Sequence, residues 1–90
     1  MELNTAFARA LKNLRTRRAL TQEDFALVTS LSYMSQLERG LKNPTLEKVE
    51  HLAAVMDIHP ASLLIKCYLE RSSCEDIELL FEKIRFDLAI

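Results

Sequence analysis

Ser32, Tyr33, Gln36 and Arg39 are four hydrogen-bonding side chains within eight residues, interleaved with the apolar Met34 and Leu37. On a helix Met34 and Leu37 share one face, which leaves the polar four on the others. The Gln36 amide can both donate and accept, a pattern that matches the N6/N7 edge of adenine and is worth about 1–3 kcal/mol of discrimination. Tyr33 has two readings, a hydroxyl donated to a phosphate or a ring half-buried against the preceding helix. Leu31 is open in the same way, either in the core or at the groove against a thymine methyl.

Phosphate chemistry has its own candidates upstream. Arg9, Lys12, Arg15, Arg17 and Arg18 lie within ten residues that contain no acid, a local charge that favours a nucleic-acid backbone through counterion release. A solvated helix face also describes such a run, and cations there suit the negative end of a helix dipole. The net charge of −1 hides a split between the halves. Through Lys48 there are eight Lys/Arg against five Asp/Glu, whereas from Val49 onward there are four against eight. The first half, at +3, is the one suited to approach phosphate, and the second, at −4, is not.

These side chains need short helices to position them. Thr21 can cap a helix start while Asp24 reaches back to the cap's backbone amide, and Phe25, Ala26 and Val28 give the new helix an apolar side. Thr29 and Ser30 interrupt it and offer a fresh cap for the helix that carries Gln36, which Gly40 stops. Two short helices joined by a tight turn form a helix-turn-helix unit, whose second helix suits a DNA major groove. Around it, Asn4 or Thr5 can cap a first helix that runs to about Arg18, with Phe7, Ala10, Leu11 and Leu14 facing inward. Thr45 caps a fourth helix with Leu46, Val49, Leu52, Ala53 and Met56 as its core stripe, and Pro60 opens a fifth that runs through Leu69. Leu63, Leu64, Cys67 and Tyr68 make the apolar face of the fifth.

The stretches T-Q-E-D-F-A, Y-M-S-Q-L-E-R-G and N-P-T-L, in that order, resemble the Xre/Cro-like repressor family from about Ala6 to Leu64. The resemblance implies an all-α, five-helix lambda-repressor-like DNA-binding domain over residues 4–69. It implies base-reading by Ser32, Tyr33, Gln36 and Arg39, and phosphate contacts from Thr21, Gln22, Arg17, Arg18, Lys42 and Asn43. Arg15 and Glu38 would then form a structural ion pair, Gln22 would bridge the DNA backbone and the recognition helix, and double-stranded DNA would be the partner of a homodimer. The chain departs from the family pattern in one respect. Between Ala26 and Tyr33 it is about two residues shorter, without the expected glycine, so a tighter turn is expected there.

Residues 70–90 extend beyond the shared core. Ser72 and Ser73 offer a cap and Glu75 and Asp76 first-turn acids, so a sixth helix is expected from near Cys74. Ile77, Leu80, Phe81, Ile84 and Leu88 form its apolar stripe, each worth roughly 1.5–3 kcal/mol if fully buried. Ninety residues offer limited surface to hide that stripe, so a homodimer interface made with Leu64 and Tyr68 is expected, with packing back on the same chain as the alternative.

Other function classes find little support. A single glycine leaves no phosphate loop, and Cys67, Cys74, His51 and His59 lack zinc spacing, so no metal, cofactor or enzymatic activity is expected. No apolar run approaches the roughly 20 residues of a membrane span. The first residues lack a basic-then-apolar leader, so a cytoplasmic location is expected. The expected function is therefore a transcription regulator, with repression as its simplest form. The alternative is an antitoxin-type protein that neutralises a toxin through its acidic, apolar C-terminal third and autoregulates its operon.

Overall fold

Phe7, Ala10 and Leu11 recur at the spacing of one helix face, and that face is buried in α1, Leu3–Arg17. The computed structural model describes residues 1–72 and 76–90, which form five α-helices and one 3₁₀ turn. The order is α1, the 3₁₀ turn Gln22–Phe25, α2 (Leu31–Glu38), α3 (Leu46–Val55), α4 (Pro60–Ser72) and α5 (Ile77–Leu88). The protein is all-α, with no strand among the described residues. Nor is any single described helix long and apolar enough to cross a membrane. A single cluster joins α1, the 3₁₀ turn, α2, α3 and α4, with Leu11, Phe25, Met34, Leu37, Leu52, Met56 and Leu63 at its centre.

Local chemistry explains most element boundaries. Ser30 Oγ accepts from the Tyr33 amide at 3.1 Å, and Thr45 Oγ1 from the Lys48 amide at 3.0 Å, so both hydroxyls cap the helices they precede. His59 flanks the start of α4, its Nδ1 accepting from the Ala61 amide at 3.0 Å. Gly40 has φ +75°, and the Leu41 amide bonds back to the Gln36 carbonyl at 3.0 Å, the hydrogen bond of a left-handed helix cap. The end of α1 repeats that motif without glycine: Ala19 has φ 58°, and the Leu20 amide reaches the Arg15 carbonyl at 3.1 Å. Because a Cβ is strained in this conformation, Ala19→Gly is expected to stabilise the fold by about 0.5–1 kcal/mol. A denaturant titration checks this; a lower midpoint at unchanged slope would count against the strain.

Several expectations need correction. The helix expected from Thr21 is a single 3₁₀ turn. Its capping box forms, with the Asp24 amide on Thr21 Oγ1 and Asp24 Oδ2 on the Thr21 amide. However, the Thr21 and Ser30 caps leave room between them for one turn and a connection only, so the shortening falls on this helix. Ala26 is consequently exposed, while Val28 still packs on the core. Neither Asn4 nor Thr5 caps α1, which begins after Glu2 without a side-chain cap. The Asn4 amide instead donates to the Gly40 carbonyl, 36 residues away. Leu46 is 77% exposed because it is the first residue of α3 and lies beyond the core.

The C-terminal elements also differ in extent. α4 continues past Leu69 to Ser72, and Asp76 caps α5 through Oδ1, which accepts from the Glu78 amide at 2.9 Å. The start expected near Cys74, with Ser73 and Glu75, lies outside the described residues. Leu80 and Ile84 share an open apolar cleft with Ala61, Leu64, Ile65 and Tyr68 of α4. A second cleft places Ile77 and Phe81 beside Leu14 and Ile65. No residue of α5 is fully buried, and Tyr68, Ile77, Phe81 and Leu88 remain exposed.

Candidate nucleic-acid interface

The face of α2 opposite Met34 and Leu37 carries Ser32 and Arg39, both exposed, with Gln36 and Ser35 half-buried beside them. Met34 and Leu37 have no exposure, so the helix is seated by an apolar face and presents its polar one outward. Tyr33 falls between the two faces, half-buried against the core, with the Lys48 ammonium 5.6 Å from its ring centroid. The ring packs on the core as in one of its two readings, an arrangement that does not bear on what its hydroxyl meets. Leu31 resolves to the surface, 53% exposed at the start of the helix.

Behind this face α2 is tied to α1. Arg15 Nε donates to Glu38 Oε2 at 2.6 Å and Nη2 to Oε1 at 2.9 Å, a bidentate pair whose side chains are 12% and 4% exposed. Nη1 of the same guanidinium donates to the Leu20 carbonyl at 2.8 Å, which fixes the exit from α1. Its hydrogen bond to Glu38 raises the Arg15 pKa, with burial opposing and the attraction of the carboxylate adding a smaller upward push. Gln22 joins the pair, its Nε2 donating to Glu38 Oε1 at 3.1 Å. One carboxylate thus gathers α1, the 3₁₀ turn and α2.

The candidate phosphate contacts precede and follow α2 in the chain. Arg17 and Arg18, at the end of α1, and Lys42 and Asn43, after Gly40, are all exposed. Thr21 is exposed but its oxygen accepts the capping bond, which leaves its hydroxyl proton for another partner. Gln22 is half-buried, with its amide nitrogen committed to Glu38.

Two positioning residues escaped sequence reasoning. Lys48 Nζ donates to the Val28 carbonyl at 2.7 Å, so α3 holds the connection that leads into α2. Its partner is a backbone carbonyl 20 residues away, for which side-chain types carry no signal. Asn4 holds the Gly40 carbonyl, although its residue type suits a helix cap.

A family model described as a helix-turn-helix domain matches residues 6–63, which span these features apart from Asn4. The chain belongs to the helix-turn-helix domain family. In this helix-turn-helix protein the matched span includes the 3₁₀ turn and α2, whose polar face is described above. No curated protein and no solved structure matches the chain. Cys67 lies in the core, where burial raises its pKa against a smaller opposing effect of Arg71, and its thiol donates weakly to the Leu3 carbonyl. No cluster of three or more His, Cys, Asp or Glu suited to a metal is present among the described residues.

Proposed function

We propose that the protein is a sequence-specific transcription regulator of the Xre/Cro type that binds a two-fold symmetric operator as a homodimer in the cytoplasm. Repression, by competition with polymerase for a promoter, is its simplest mode, and no catalytic role is assigned. The observation that carries this reading is the outward polar face of α2, held from behind by the Arg15–Glu38–Gln22 cluster. A helix so fixed loses little further freedom on entering a groove, which favours base discrimination over loose adhesion. Exposed cations before and after it in the chain, Arg17, Arg18 and Lys42, support phosphate contacts that set its register.

Selection of bound duplexes from a random pool tests the proposal. The expected product is an inverted repeat whose half-sites lie about 34 Å apart, one helical turn. Gln36→Ala is expected to lose about 1–3 kcal/mol of discrimination at one or two positions per half-site, with the salt dependence unchanged. A retained sequence preference would remove Gln36 from base reading, and no enrichment over random sequence would overturn the proposal.

The antitoxin reading draws on α5, where Phe86 and Leu88 are 80% and 62% exposed. A homodimer in sedimentation supports the symmetric regulator. A monomer that forms a stable complex with a second protein supports the antitoxin.

A further inference from the structure

Leu31 is the first residue of α2, 53% exposed, and is not among the half-buried apolar side chains packed on the core. A lone exposed leucine ordinarily needs no explanation. This one stands between exposed Ser30 and Ser32, and Leu27, four residues earlier in the connection, is 100% exposed. The connection is therefore packed through Val28, while its Leu27 and the Leu31 that opens α2 face solvent.

The first turn of a recognition helix is the part that reaches base edges, and the distinctive apolar group on a major-groove edge is the C5-methyl of thymine. We infer that Leu31 reads bases by packing on the C5-methyl of a thymine in each half-site, and so selects an A·T pair. This rests on the DNA-binding function proposed above. The hydroxyl of neighbouring Ser32 donates and accepts without preference, so it discriminates little by itself. Gln36 and Leu31 then divide the work, one reading the hydrogen-bonding edge of adenine and the other the methyl of thymine. An uncharged side chain releases no counterion, so the Leu31 contribution shows in base preference and not in salt dependence.

Thymine-to-deoxyuridine replacement removes only the methyl, and scanning it through the selected operator tests the assignment. One position per half-site is expected to lose about fourfold in affinity, the factor that corresponds to roughly 0.8 kcal/mol for one buried carbon group. Leu31→Ala is expected to weaken binding to the thymine operator and bring the thymine-to-deoxyuridine ratio at that position close to one. Gln36→Ala should leave the ratio near fourfold. Because Leu31 is exposed, its alanine variant is expected to keep the parent thermal midpoint. Equal binding of every deoxyuridine operator, an undiminished ratio in Leu31→Ala, or a selected site with no required A·T pair would each overturn the inference. A protein that enriches no sequence at all would instead fail the DNA-binding proposal, and the assignment to Leu31 with it.

Discussion

Replacing Arg15 with alanine is expected to destabilise the protein by about 3–5 kcal/mol, because it strands the Glu38 carboxylate in a nearly closed site. Only 4% of that carboxylate side chain is exposed, and the Gln22 amide is the other side-chain donor to it among the described residues. For a domain of this size each kcal/mol lowers the melting temperature by about 4–8 °C, so the variant should melt far below the parent in a circular dichroism scan. Arg15→Met combined with Glu38→Leu removes both charges and is expected to recover much of the loss. A loss below about 1 kcal/mol in Arg15→Ala would put the pair in the class of surface ion pairs.

The pH dependence of this pair has a definite sign. The folded protein holds the Arg15 proton more tightly than the unfolded chain, so the stabilisation linked to that proton is complete below the ordinary arginine range. It is lost only as pH rises through the raised folded value. The difference between parent and Arg15→Ala should therefore owe nothing to arginine titration from acid to mildly alkaline pH.

The second large effect is expected at Phe25. Its side chain is fully buried and it is the only buried residue of the 3₁₀ turn, so one ring seats that turn on the core. Phe25→Ala is expected to cost about 3–5 kcal/mol from lost burial and the cavity left behind. Phe25→Leu, which leaves a smaller void, should cost less. Since a 3₁₀ turn has poor hydrogen-bond geometry of its own, the alanine variant should also loosen the connection into α2 and blunt base preference. Urea titration and operator selection read the two effects separately; a cost below about 1 kcal/mol would mean that the Thr21–Asp24 capping box holds the turn without the ring.

Much of the helical layout was legible because it is written in nearest-neighbour chemistry. The hydroxyls of Ser30 and Thr45, the glycine at 40 and the proline at 60 act on backbone groups within a few residues, and they mark the same ends in the fold. The apolar spacing of Phe7, Ala10 and Leu11, and of Met34 and Leu37, likewise found the buried faces. Spacing failed at Leu46 and Ala26. A periodic pattern says which residues share a face but not where along an element the core ends.

The amino-acid sequence by itself determined an all-helical chain with a polar helix at 31–38, capped at its start and stopped by glycine, because each of those outcomes depends on contacts within one turn. Only the tertiary structure decided that the clipped segment becomes a 3₁₀ turn, that Lys48 and Asn4 grip carbonyls 20 and 36 residues away, and that Leu31 turns to solvent. The reason is physical: those outcomes rest on backbone carbonyls and on core space, which every sequence has and no residue type announces.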